Sequence, residues 1–394
     1  MAGDGRRDHV DAGAGAAPRS TSPLDASRGT GGVNTDGSIG SLERGEDPKA
    51  EASQERASAP KKSDASTKEY AEGPTGASVP EATHSQGRTR DPTTAGGRNT
   101  DPSPGWLSGA SGHGVAPGEF GVWRGSPVEI AGTWADSNEG QRHLWSLQPG
   151  AEFGNWDGDL DIAIGAIDRG ETWSAAAAGS YDSRWRESLT RLRQLWGQRS
   201  GTLFIRFAHE MNADWYPWAV NSRNYVDFIS AWKRFRAIQQ EVFPAAQLVF
   251  CVNRESVGTG IDWRTTFPGR EYVDVIGVDY YNQWPYVDTA AEWKASLDAV
   301  DGYGAPKGLG QHVKFARQVG LPLAIPEWSS VPSQGDSALY VELFSNFVRA
   351  NAGSGPGQIR YEILFNVLHT TGEDYRFYGA ATMPASSAAY RQNF

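Results

Sequence analysis

From residue 120 onward the chain alternates short apolar runs with segments of helical periodicity, and no other feature narrows its fold as far. The runs cover residues 120–123, 128–130, 160–167, 203–207, 247–252, 273–278, 321–325 and 359–365. They are too short for buried helices and rich in β-branched and aromatic residues, so they read as strands. Between several of them lie helical patterns. Tyr181, Trp185, Leu189 and Leu192 recur at spacings of four, four and three, with Ser180 or Asp182 able to cap the start. Tyr225, Phe228, Ile229, Trp232, Phe235 and Ile238 make a second stripe, with Asn221 or Ser222 as its cap. Further helices are expected over 309–319, stopped by Gly320, and over 336–349, stopped by the loop 351–357. Nearly continuous apolar strands flanked by amphipathic helices imply a parallel sheet covered by helices. Eight such units imply a (β/α)8 TIM barrel, whose catalytic groups sit at the C-terminal ends of the strands.

The barrel does not use the whole chain. All fifteen Trp lie at or after Trp106, and Tyr70 is the only aromatic before it. Residues 1–104 are dense in Gly, Ser, Ala, Thr and Pro without periodic apolar positions, so nothing opposes their conformational entropy and a disordered tail or linker is expected there. Residues 105–394 are expected to form one catalytic domain. The formal net charge of −10 divides as −3 for the tail (13 Lys+Arg against 16 Asp+Glu) and −7 for the rest (24 against 31). Without a basic patch, nucleic acid is not an expected partner. Cys251 is the only cysteine, which excludes an internal disulfide and a thiolate metal cluster.

Two segments carry the chemistry. LFIRFAHEMNADWYPW (203–218) begins as a buried strand and ends in His209, Glu210 and Asn212, with Trp215, Tyr216 and Trp218 directly after. Three large aromatics just past a strand end form the apolar patch that normally serves binding. LPLAIPEW (321–328) repeats the arrangement with Glu327 beside Trp328. Two carboxyl groups at the ends of two buried strands, with aromatic faces for sugar rings to stack on, are the equipment for splitting a glycosidic bond. A lone imidazole, His209, without a second ligand at metal spacing argues for an orienting partner and against a zinc site. Tyr280 and Tyr281 point to opposite faces of one strand, and Tyr281 is the candidate for the site. Asp279, Trp284, Asn253 and Arg254 also fall just past expected strand ends and are candidates for sugar hydroxyls. Glu210 considered alone could equally be a structural carboxylate satisfied by Arg206 or His209.

The segment FIRFAHEMNADWYPW resembles the fourth-strand motif of family 26 glycoside hydrolases, the β-mannanase family. VDVIGVDYYN (273–282) resembles the sixth strand, 322–328 the nucleophile strand and 361–366 the eighth. The resemblance spans residues 115–380 in layout and is specific in 206–218 and 279–328. It implies Glu210 as acid/base, Glu327 as nucleophile, Trp215 as the floor of the subsite holding the cleaved sugar, and Tyr281 beside the nucleophile. His209, Asn212, Trp218, Asp279, Trp284 and Trp328 complete the expected substrate-binding set. The chain departs from the family at Ala213, where Gly is common, at Trp328-Ser329 after the nucleophile, and at Ala166 to Asp168, which lack a His often found near the sugar. On the eighth strand, Asn366 and His369 stand where an aromatic is common. These departures lie around the substrate, so mannan is a family expectation and not a reading of residues.

The expected function is a retaining glycosidase needing no cofactor or metal, an endo-β-1,4-mannanase acting as a monomer on polysaccharide. The alternatives are a β-glucanase or β-xylanase on the same scaffold, or a non-catalytic polysaccharide-binding protein of this fold. A barrel lyase or aldolase would want a strand-end lysine or metal ligands. No signal-peptide core comes after Met1, yet a long Ser/Thr/Gly/Pro-rich tail is also expected just past a removed signal or an anchor helix. An extracellular or cell-surface location is expected, with the cytoplasm left open.

Overall fold

The computed structural model describes residues 105–394; the tail expected over 1–104 lies outside the described residues. The strands are β1 (Leu107–Gly112), β2 (Ile130–Ala135), β3 (Asp159–Ile164), β4 (Leu203–Phe207), β5 (Gln247–Asn253), β6 (Val275–Asn282), β7 (Leu323–Ser330) and β8 (Ile359–Asn366). Each pairs in parallel with the next, and β8 returns to β1 to close the barrel. Helices α1 (Glu119–Arg124), α2 (Asn138–His143), α3 (Trp173–Ala177), α4 (Asp182–Trp196), α5 (Tyr225–Val242), α6 (Ala290–Leu297), α7 (Leu309–Val319), α8 (Ala338–Ala350) and α9 (Pro384–Asn393) lie between and after the strands.

The first strand is not where the apolar runs place it. Residues 120–123 belong to α1, and β1 is LSGASG, a run of small residues with no apolar signature. Its small size is a packing requirement, because a Cβ on Gly109 would run into the Ile130 carbonyl of the neighbouring strand. The expected caps also differ. Helix α4 starts after Tyr181 and α5 after Asn224, neither with a side-chain cap, while Asn221 and Asn224 bond each other in the preceding turn.

Strand alternation divides the residues into two cores. Ile130, Phe204, Val249, Cys251, Val275, Ala324, Tyr361 and Ile363 fill the lower barrel interior. The outward side chains pack against the helices. Phe207 stacks on Phe235 of α5 at 3.9 Å between centroids and meets Trp185 of α4 edge-on at 5.3 Å. Truncating so enclosed a ring costs roughly 3–5 kcal/mol, and it anchors β4 three residues before Glu210.

One irregularity decides which way β7 presents its acid. Ala324 faces the interior, and strict alternation would turn Glu327 outward toward the helices. The register of β7 against β8 shifts between Ile325 and Trp328, at Pro326, which has no N–H for the ladder. The extra residue restores Glu327 to the interior, opposite Asp279 of β6, and sends Trp328 outward.

Candidate active site

Past the end of β4 the backbone turns sharply. Ala208 and Glu210 both take left-handed conformations, φ 55° and 52°, which non-glycine residues adopt only when the surroundings impose them. The Ala208 amide bonds the Ile164 carbonyl of β3 at 2.9 Å and the Glu210 amide bonds the Cys251 carbonyl of β5 at 3.1 Å. Pinned between two strands, the turn delivers the Glu210 carboxyl to the barrel mouth, where Trp215 Nε1 donates to its Oε2 at 3.0 Å.

Glu327 is held from three strands. Its Oε2 accepts from the Tyr281 hydroxyl of β6 at 2.8 Å, and its Oε1 accepts from Arg206 Nη1 of β4 at 2.7 Å and from Trp134 Nε1 of β2 at 2.8 Å. Burial, then the charge of Glu327, raises Tyr281 well above the usual phenol range, so it stays protonated and donates. Glu210 acts on Tyr281 as well, and both carboxyls act on Tyr375 in the loop after β8. The two acids therefore face one mouth.

Beneath Glu327 lies a buried charge cluster. Arg206 Nε donates to Asp161 of β3 at 2.5 Å and Nη1 approaches Asp279 at 3.4 Å; all three side chains are fully enclosed. Tyr361 donates to Asp161 at 2.6 Å, and the Cys251 thiol reaches Asp279 at 3.3 Å. Burial and then Glu327 push Asp279 well above the ordinary carboxyl range, and burial raises Asp161 against the pull of Arg206. Burial works against the charge on Arg206, but Asp161, Glu327 and Asp279 together hold it firmly cationic.

The expected substrate set divides in two. Trp215 flanks Glu210, Tyr281 grips Glu327, and Trp284 is 40% exposed on the β6 rim. His209 is enclosed, with Nε2 3.2 Å from the Tyr216 hydroxyl and Nδ1 3.8 Å from Asp136. The others are not presented to a ligand. Trp328 is fully buried behind β7, stacked on Phe344 at 4.1 Å and donating to Glu362, because the bulge at Pro326 turns it to the helices. Trp218 is buried with its N–H on the His209 carbonyl, at 2.7 Å, and stacks on Tyr216. Asn212 uses its whole amide on the backbone of Asn253, tying the β4 turn to β5. Asp279 faces Arg206 below the mouth. Arg254 bonds the Tyr281 and Gln283 carbonyls, and the Asn253 amide donates to the Glu255 carbonyl. Arg206, which the sequence offered as a partner for Glu210, belongs to Glu327.

Three residues of the site lie outside the expected substrate-binding set. Trp134, Phe365 and Tyr375 form an aromatic cluster with Tyr281 around Glu327. Of these, Phe365 alone falls in an expected strand. Among the described residues, no group of three or more His, Cys, Asp or Glu is arranged to hold a metal ion, and no helix is long and apolar enough to cross a membrane.

A protein-family profile described as Glycosyl hydrolase family 26 matches residues 180–303, a stretch holding Glu210 and Tyr281 but not Glu327. Endoglucanase H of Acetivibrio thermocellus is 26% identical over 190 residues, 46% of this chain and 20% of that protein. The mannan endo-1,4-beta-mannosidase of Bacillus subtilis is 28% identical over 166 residues, 38% of this chain and 46% of that protein. The chain thus spans less than half the length of either curated relative. In fold it is similar to the endo-beta-1,4-mannanase of Thermotoga petrophila, with a TM-score of 0.50 at 11% identity over 74% of this chain and 76% of that one.

Proposed function

We infer, for a chain that carries a glycoside hydrolase family 26 catalytic domain, that it cleaves a β-linked polysaccharide with retention of configuration. The observation that carries this reading is the unequal treatment of two acids at one mouth. Glu327 is gripped by Arg206, Tyr281 and Trp134, donors that suit a carboxylate poised for attack, whereas Glu210 rides on a strained turn beside an indole. Two carboxyls sharing a site are best accommodated when one keeps its proton. Glu327 attacks the anomeric carbon while Glu210 protonates the departing oxygen, giving a covalent glycosyl-enzyme. Glu210, now ionised, takes a proton from water, and the water's oxygen displaces Glu327. Trp215 lies where the cleaved sugar would sit, with Trp284 further along the rim.

The substrate we favour is internal β-1,4-linked mannan, supported by the relatives named as mannanases. The similarity to an endoglucanase favours β-glucan as the second reading. A polymeric substrate suits work outside the cell or at its surface, and that is the location we propose.

Incubation with soluble mannans, glucans and xylans, with a reducing-end assay as the readout, tests this. Mannan should release the most ends, and Glu327→Ala should lower the rate by roughly 10³-fold or more. A folded protein that binds one polymer and cleaves none would be the non-catalytic relative instead.

A further inference from the structure

We propose that Trp134 is a positioning residue of the reaction: its indole N–H fixes Oε1 of Glu327, so that Oε2 is the oxygen that attacks the sugar. The proposal rests on the reading of Glu327 as nucleophile.

Trp134 sits on β2 four residues after Ile130, on the same inward face, and is half-buried at the mouth. Its N–H lies 2.8 Å from Glu327 Oε1, and the Arg206 guanidinium, 6.0 Å above its ring, donates to the same oxygen. A carboxylate oxygen offers two in-plane lone pairs, and here both on Oε1 have donors. Phe365 then ties the two grips together. It meets Trp134 edge-on at 5.5 Å and Tyr281 edge-on at 5.7 Å, each at 79°. One wedge thus spaces the indole that holds Oε1 from the phenol that holds Oε2.

The chemistry gives this clamp a purpose. A glutamate side chain can swing its carboxyl plane, and attack on an anomeric carbon needs one oxygen aligned with the breaking bond. Arg206 supplies charge from below. An indole N–H is neutral, so a second donor of this kind fixes the plane without adding another positive charge beside the nucleophile.

Two variants test the assignment. Trp134→Phe keeps an aromatic ring and removes the N–H; β-(3-benzothienyl)alanine at position 134 keeps the full ring outline with sulfur in place of N–H. With melting temperatures close to the parent's, both should lose about 10–100-fold in kcat with KM changed less than about threefold, the range for a lost hydrogen bond to a charged group. In a carbon-13 titration of the Glu327 carboxyl, identified by its loss in Glu327→Gln, both should move the midpoint upward by about half a pH unit or more. An active parent whose benzothienyl variant keeps full kcat, or an unmoved midpoint, overturns the role of Trp134 alone. A parent inactive on every polymer overturns the nucleophile reading, and this proposal with it.

Discussion

Glu362 gives a quantitative test of how this barrel is held behind its active site. It points outward from β8, where Ser108 Oγ donates to Oε1 at 2.6 Å and Trp328 Nε1 to Oε2 at 2.5 Å, with Arg124 linking Ser108 to Tyr390. Full burial lifts its carboxyl from 4.5 to about 7, against the smaller opposing effects of these donors and of Arg124. The folded chain therefore holds this proton more tightly than the unfolded chain does. The resulting stabilisation is complete below pH 4.5 and is lost as pH rises through about 7. At about 1.4 kcal/mol per unit of difference, the loss is about 3 kcal/mol. At roughly 2 °C per kcal/mol for a domain of this size, that is on the order of 6 °C in melting temperature. Glu362→Gln keeps an acceptor for Trp328, turns an amide N–H toward the Ser108 hydroxyl, which can rotate to accept it, and does not titrate. Calorimetry of both proteins at pH 5 and pH 8 should show the variant gaining on the parent by most of that amount, about 2.5 kcal/mol or about 5 °C, across the interval. Other titrating groups cancel in the difference. Parallel melting curves would mean that the buried carboxyl is not kept protonated and would refute the burial argument.

Glu210→Ala should nearly abolish cleavage of polymer yet spare the first step on aryl glycosides, giving a burst and then slow turnover that azide accelerates; polymer cleavage within a few-fold of the parent would remove Glu210 from the mechanism. Proton NMR of fresh product should show the β anomer first, as expected of acids separated by about 5–5.5 Å, and an α anomer appearing first would end the nucleophile role of Glu327. Deleting residues 1–104, which hold one aromatic residue and no periodic apolar pattern, should leave melting temperature and turnover on soluble substrate nearly unchanged. A large loss of either would show that the segment contributes to the barrel.

The legibility of each element in the sequence tracks the size of its side chains. Strands β3 to β8 announce themselves because bulky apolar residues fill both of their faces, and α7 ends where Gly320 supplies the left-handed stop at φ 77°. Strand β1 is silent because close approach to β2 requires small residues, and small residues carry no hydropathy. Trp134 is missed with its strand, since only Val128 to Ile130 looks β-like and the strand runs on to Ala135. At Glu327 the residue is legible and its neighbourhood is not. Trp328 looks like a sugar platform in sequence, and only a parity change at Pro326, a register property between strands, puts it on the far side. Arg206 and Asp161 stand out as charges inside apolar strands. Their partners on β6, β7 and β8 lie 73 to 200 residues away.

The Arg206 cluster also constrains the order in which this barrel can change. One guanidinium answers Asp161, Asp279 and Glu327. If Arg206 is replaced first, three enclosed acids lose their shared cation at a cost of several kcal/mol. Replacing Asp161 or Asp279 by its amide first leaves the guanidinium with two acidic partners, and the later loss of Arg206 then strands fewer buried acids. The same substitution is thus ruinous in one background and tolerable in another, an interaction a double-mutant cycle would measure directly. Descendants of this sequence, natural or designed, should keep the four positions as a block or exchange Asp161 or Asp279 before Arg206.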